Sequence, residues 1–447
     1  MIFSMRLLNL IKDKNSNKSK VIRNVLWALL GKFTNMFGML FVGILVARYL
    51  GPEKYGLMNY VISFVALFSV FAGFGLSNIE VRELSAHPEK KESILGTCLA
   101  IRLFFAIVVF CIICLIVKIS AKDNFTSVLI ITYSSVLFSS CFEVIRNYFS
   151  SIIKNEYVVK SEICRTVIGA ILKIALLWFK FPLEWFVLAT AFDTYLVASG
   201  YILSYKKEVG SLRKWSFDKT LVPYLLSQAF PLVLSGAAVV VYERIDQVLI
   251  GDLLNNKEVG YFATADKFLG IILFLPGIMM QTIVPILVQS YQRSHAEYIE
   301  KSKQAISIIV WISIILSLGV SFSSYWLIKY TYGNEYLAAV PVLQILAWKT
   351  VGMGLSGAGG QLIIIERRQK WAVIRNIIGC LTCVGLNLLI IPTFGIVGSA
   401  FVTIITVLVS GCFANLLIPP YWHIFRLEIY AIIKGWKHLY EIKYLLK

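Results

Sequence analysis

Apolar stretches of about 20 residues recur from one end of the chain to the other, separated by short polar segments. A helix of about 20 apolar residues crosses a hydrocarbon core of about 30 Å. The weak period-two alternation of an outer-membrane barrel is absent. The pattern predicts twelve spans, at 25–47, 58–77, 97–117, 125–145, 162–179, 183–204, 224–250, 260–284, 305–328, 338–364, 373–391 and 395–418. The fold class expected is therefore an all-α polytopic membrane protein.

The basic residues test that count. With the N-terminus in the cytoplasm, and with Arg165 and Arg375 counted with the loops they flank, 30 of the 43 Lys and Arg fall on the inside and 7 outside. Such an asymmetry follows the positive-inside rule, and one missed span would invert it. Both ends are thus expected in the cytoplasm of a multi-pass membrane protein.

Composition agrees: 58% of residues are hydrophobic and 15% charged, against about a quarter charged in a soluble domain. The net charge of +18 is mostly a cytoplasmic face meeting anionic lipid, and implies no nucleic acid. The N-terminal segment 1–24 has no small-residue cleavage site before the first span, so the first helix is expected to direct insertion. The tail, 419–447, is basic, aromatic and amphipathic, which predicts a helix lying on the cytoplasmic leaflet. Two Cys-x-x-Cys pairs, Cys111 with Cys114 and Cys380 with Cys383, sit inside spans without a second pair or nearby histidine. They read as buried small hydrophobes rather than a metal or redox site.

The chain repeats itself. "VARYLGPEKYGLMNYVISF" (46–64) matches "IGDLLNNKEVGYFATADKF" (250–268) at an offset of 204, with Gly56 on Gly260. "CRTVIGAILKIALLWFKFP" (164–182) matches "IRNIIGCLTCVGLNLLIIP" (374–392) at an offset of 210, with Gly169 on Gly379. Six helices repeated once give a first lobe at 25–204, a cytoplasmic linker at 205–223 and a second lobe at 224–418. An even number of spans per lobe gives both the same orientation, related by an axis along the membrane normal. Two such lobes with a cavity between them suit a transporter that rocks. Gly56 and Gly260 are expected at equivalent outside turns.

"ARYLGPEKYG" (47–56), "YERIDQVLIG" (242–251), "YGNEY" (332–336) and "IPTFGIVGSAF" (391–401) resemble the polysaccharide-transporter branch of the multidrug/oligosaccharidyl-lipid/polysaccharide exporter superfamily. The likeness is greatest to O-antigen and capsule repeat-unit flippases of the Wzx type, and it covers nearly the whole chain. The resemblance implies a MATE-like bundle of twelve helices. It also implies an isoprenoid-diphosphate-linked oligosaccharide as cargo, moved from the cytoplasmic to the outer leaflet by alternating access. Partners so implied are membrane lipid, the lipid-linked oligosaccharide diphosphate and other glycan-assembly membrane proteins.

Ten ionisable residues lie well inside the spans: Lys32, Arg102, Lys173, Asp193, Glu243, Arg244, Asp246, Asp266, Lys267 and Lys349. Each costs about 2.5–3.5 kcal/mol at a helix centre on insertion scales. Lys173 and Asp193, on neighbouring helices at similar depth, are expected to pair. Lys32 and Lys349, one in each half and each about ten residues from a helix end, lack an acidic neighbour in their own helices. With Arg244 they are the candidates for a cationic cavity wall that meets a diphosphate. Glu243 and Asp246 share a helix face while Arg244 points about 100° away, so one compact salt bridge cannot hold all three. Asp266 and Lys267 are the expected partners. Glu243, Asp246, Asp266, Lys267 and Asp193 are accordingly the gate or ion-coupling candidates. No cofactor or metal is expected; the coupling ion would be H+ or Na+.

Two rivals are weighed. An ion-coupled multidrug or cation antiporter of the same superfamily would favour an acidic cavity, whereas six of the ten intramembrane charges are basic. An enzyme such as a glycan polymerase, ligase or glycosyltransferase needs a sizeable extramembrane domain, and the outside loops here are short. The protein is therefore not expected to be an enzyme.

Overall fold

The computed structural model describes residues 17–120 and 122–441, and among them every regular element is helical. In chain order the helices are α1 (Asn17–Gly73), α2 (Ser77–Ala86), α3 (Lys91–Ile119), α4 (Asn124–Ser134), α5 (Val136–Ser140), α6 (Glu143–Ser151), α7 (Asn155–Trp178) and α8 (Leu183–Glu208). They continue as α9 (Leu221–Leu253), α10 (Asn256–Ile272), α11 (Phe274–Arg293), α12 (His295–Thr331), α13 (Ala339–Leu346), α14 (Lys349–Ile365), α15 (Ala372–Gly411) and α16 (Trp422–Lys434).

Nine helical stretches among the described residues are long and apolar enough to cross a membrane. Two of these, Phe33–Ala86 and Gln369–Leu417, run to 54 and 49 residues, far beyond the thickness of a bilayer. Each is broken by a glycine in the left-handed region, Gly51 at φ 72° and Gly395 at φ 60°. Any side chain is strained there and glycine is not. Pro52 follows Gly51 as the first residue of the next helical segment, where its missing N–H costs nothing. The "ARYLGPEKYG" motif is thus the instruction for a sharp reversal. The 24-residue α7 is long enough to span but carries Lys160, Glu162, Arg165 and Lys173, which keep it out of the nine.

Among the described residues the helices form two compact units: one up to 46 with 68–233, the other 47–67 with 234–441. The helical hairpin segment 47–67, placed by sequence in the first half, packs within the second unit.

The first unit is built around Leu76, Leu95, Val144, Phe149, Tyr205 and Ala229, all buried. Arg102 of α3 runs through this core with a side chain only 2% exposed. Its Nε and Nη2 donate to the two oxygens of Glu80 on α2 at 2.7 and 3.0 Å, and Nη2 also reaches Ser77 at 3.0 Å. Asn147 of α6 donates to the same carboxylate. This network explains how α3 tolerates an arginine: the ion pair is bidentate and its spare lone pairs are satisfied.

The second unit packs α11, α12, α14 and α16 around Leu287, Tyr298, Ile309, Leu355, Leu362 and Ile424. The tail helix α16 therefore does not only lie on a leaflet. Ile424, Leu427, Glu428 and Ala431 enter the core, while Trp422 and Ile433 stay exposed. Glu428 is fully buried and accepts two bonds from Asn415, at 3.1 and 2.9 Å. Burial pushes its carboxyl up to about 8, because ionisation there would strand a charge away from water.

Gly56 and Gly260 lie in helices rather than in turns, which corrects the sequence expectation. The reversals come one turn earlier, at Gly51 and before Asn255, which caps α10 by accepting from the Glu258 N–H at 3.0 Å. A Cβ added to Gly56 would sit 1.7 Å from the Asn256 carbonyl oxygen, and one on Gly260 would sit 2.1 Å from that of Pro52. The crossing is reciprocal: each glycine meets the carbonyl four residues before the other, and both pairs are 204 residues apart. The repeat thus reads out as a local two-fold contact between backbones that only glycine allows to approach.

Large apolar side chains point outward, including Trp178 at 82% and Phe322 at 78% exposed. Such a surface suits hydrocarbon rather than water.

Candidate functional site

In the first unit, α1, α5, α6, α7 and α8 line a half-open cavity of about 310 Å³. Asn35 of α1 organises its floor. The Asn35 Nδ2 donates to Glu162 Oε2 at 3.3 Å, and its Oδ1 accepts from Arg165 Nη2 at 2.7 Å and from the Thr166 hydroxyl. Glu162 also accepts from Tyr201 at 3.3 Å, and Arg146 Nε lies 3.9 Å from it. Glu143 on the wall sits 3.7 Å from Arg102. Arg165 forms no ion pair among the described residues, and its buried Nε has no hydrogen-bond partner. Sequence reasoning missed Asn35, Glu162 and Arg165. The last two sit at a span end, where a charge draws no notice, and Arg165 counts there with the cytoplasmic flank; their i,i+3 spacing on one helix face was the available signal.

Deeper along α7 and α8, the Lys173 ammonium pairs with Asp193, as their depths predicted. Gly169 makes room: a Cβ there would lie 2.1 Å from Asp193 Oδ1.

The charges of α9 in the second unit do not act as a group. Glu243 and Arg244 are exposed, and neither forms an ion pair among the described residues. Asp246 is buried at 3% exposure. Its Oδ1 accepts from Asn387 Nδ2 at 2.6 Å and from the Cys383 thiol at 3.4 Å, and its Oδ2 accepts from Thr403 at 2.7 Å. Ser399 in turn donates to Asn387 at 2.9 Å. All these donors are neutral, and no cation lies within ion-pair distance among the described residues. Asp266 and Lys267, the expected partners, are engaged elsewhere. Asp266 lies 3.8 Å from the Lys349 ammonium. Lys267 donates to the Tyr55 hydroxyl and sits 4.5 Å from that ring's centroid, in a cluster with the buried Tyr332 and Tyr336. The 100° step between successive helix positions explains the outcome: Asp246 faces α15, and Arg244 does not.

Lys349 therefore has an acidic neighbour, on α10 rather than on its own helix. The side chain of Lys32 lies outside the described residues. Cys383 is more than a small hydrophobe, since its thiol donates to Asp246, while Cys111 and Cys164 are exposed. No group of three His, Cys, Asp or Glu among the described residues has metal-ligand geometry.

A family model described as "Polysaccharide biosynthesis protein" matches residues 21–291. The succinoglycan biosynthesis transport protein ExoT of Rhizobium meliloti (strain 1021) is 23% identical over 74% of this chain and 66% of its own length. The probable low-salt glycan biosynthesis flippase Agl15 of Haloferax volcanii is 25% identical over 45% of this chain and 42% of its own. Among solved structures, the lipid II flippase MurJ in an inward closed conformation superposes with a TM-score of 0.70 at 14% identity, covering 93% of this chain and 92% of that one. An inward-facing multidrug resistance MATE transporter gives 0.64 at 17% identity, over 90% and 96%. At these identities the solved structures establish the fold alone: an all-helical polytopic bundle.

Proposed function

The chain belongs to the polysaccharide biosynthesis protein family, and from that premise we propose that it is a flippase for an isoprenoid-diphosphate-linked oligosaccharide. It carries the repeat unit of a surface polysaccharide, O-antigen or capsule, from the cytoplasmic to the outer leaflet by alternating access. The observation that carries this reading is the family match over more than half the chain, joined to relatives named as a polysaccharide transport protein and a glycan flippase. The protein sits in the cytoplasmic membrane with both ends inside. The nine apolar stretches among the described residues are compatible with twelve spans when each glycine-broken stretch is taken as two and α7 as one.

Arg244 is the diphosphate contact this reading favours. It is an exposed guanidinium on α9 that forms no ion pair among the described residues, and its planar fork suits phosphate oxygens. Lys349 contributes when its pair with Asp266 opens.

Asp246 is the ion-coupling carboxylate. Position 173 in the first half is a lysine that neutralises Asp193, and the matching position 210 residues on is Cys383, a neutral thiol beside Asp246. Where the first half has a tethered cation, the second leaves a buried carboxylate to a mobile one, H+ or Na+.

Deleting the gene in its host tests the proposal. The expected result is loss of surface glycan with no change in sensitivity to cationic dyes. Dye sensitivity with intact glycan would replace the flippase by the antiporter.

A further inference from the structure

The cavity of the first unit has a chemistry different from that of a diphosphate site. Two guanidiniums, Arg146 and Arg165, and two carboxylates, Glu143 and Glu162, line it, so its formal charges cancel. A diphosphate entering would gain two cations and face two anions. Between the charges stand uncharged hydrogen-bonding groups, Asn35, Ser139 and Thr194 among them. Ser139 and Thr194 are bonded to each other at 2.7 Å and reach the Val136 and Ala191 carbonyls at 2.9 and 2.7 Å, so what each hydroxyl keeps for a ligand is acceptor capacity.

Such a lining offers acceptors and donors side by side. Glu162 is held in place by Asn35 and Tyr201, which leaves lone pairs on its 22% exposed side chain for a ligand. Arg165 is anchored through Nη2 by Asn35 while its Nε is unpartnered. An acceptor that reached this buried donor would supply its missing partner. Each ring hydroxyl of a sugar both donates and accepts. Adjacent hydroxyls can therefore bridge a carboxylate and a guanidinium, and a neutral polyol brings no charge to unbalance the cavity.

We propose that this cavity, centred on Asn35, Glu162 and Arg165, is a sugar subsite that binds a neutral monosaccharide unit of the cargo through its hydroxyls. The proposal rests on the flippase reading and adds where the glycan, as distinct from the diphosphate, is recognised. Glu162 takes the hydroxyl hydrogens, Arg165 donates to the hydroxyl oxygens, and Asn35 fixes both in register. At about 310 Å³ the space is of small-ligand size, so the remaining sugars of an oligosaccharide stay outside it.

The test uses the full-length protein in lipid nanodiscs and four probes: bare undecaprenyl diphosphate, and undecaprenyl diphosphate carrying one N-acetylglucosamine, one glucose or one galactose. The wild-type protein should bind at least one glycosylated probe at least tenfold more tightly than the bare one. In Glu162→Gln, that ratio should fall toward one. Because Glu162→Gln could perturb folding, Thr194→Val on α8 provides a second variant, expected to reduce the ratio several-fold. In the wild-type protein, hydrogen exchange should show added protection at 139–146 and 158–166 with the glycosylated probe over the bare one. Equal binding of all probes by a wild-type protein that still flips glycosylated lipid would overturn the sugar subsite and leave the flippase standing. Failure to bind or flip any of these lipids would overturn both.

Discussion

At the scale of single residues, the account turns on buried charges and their partners. Arg102 and Glu80 form a buried bidentate pair, so removing one partner strands the other. Arg102→Ala should cost about 3–5 kcal/mol and lower the unfolding temperature of the purified protein well below that of an exposed substitution such as Lys118→Ala. Asp246 differs, because its partners are neutral. Asp246→Asn should leave the protein folded yet abolish the response of transport to an imposed ion gradient; retention of that response would remove Asp246 from coupling. Thr403→Val deletes one of its donors and should destabilise by about 1–3 kcal/mol, read by thermal unfolding in detergent. The sequence made these residues conspicuous as charges in apolar runs, and it gave the Lys173–Asp193 pair through matching depth. It could not give the partners of Asp246, since Asn387, Thr403 and Cys383 are ordinary residues until α15 folds against α9. Glu80 and Glu162 escaped notice for a related reason: each lies near a span end, where a charge needs no explanation.

At the scale of elements, the reversals were legible and the crossings were not. Gly-Pro at 51–52 and Pro392 ahead of Gly395 mark the two breaks that split over-long helices. The reciprocal glycine contact appeared in the sequence only as a matched pair of letters, and its place in the helices rather than the turns required coordinates. Gly56→Leu or Gly260→Leu should prevent that approach and sharply reduce folded protein in the membrane. Gly277→Leu should be tolerated, since nothing lies within 4 Å of a Cβ there; comparing yields by fluorescence-detection chromatography checks this. The tail helix carries its own pH dependence. Glu428 has a carboxyl near 8 when docked and about 4.3 when free. The docked state therefore holds a proton that the undocked state has lost, and docking weakens as pH rises from about 4 through about 8. Protease nicking at 435–441 should increase over that range in the wild type and become flat in Glu428→Gln; an unchanged pH profile in the variant would assign the effect elsewhere.

At the scale of the whole molecule, the polytopic helical class and the family followed from spacing, loop charge and a few motifs, because those are properties of a chain in a membrane rather than of any particular packing. What the cargo touches depends on which side chains converge, and there the sequence supplied candidates but not their company. The most direct test of the central claim is a reconstituted flipping assay. Purified protein is placed in liposomes with a fluorescent undecaprenyl-diphosphate-linked oligosaccharide in the inner leaflet only, and a membrane-impermeant glycosidase is added outside. Wild-type protein should expose the glycan to cleavage faster than protein-free liposomes, and Arg244→Ala should lose most of that rate while Arg244→Lys keeps part of it. Folded wild-type protein that leaves the glycan protected in every imposed H+ or Na+ gradient would contradict the account.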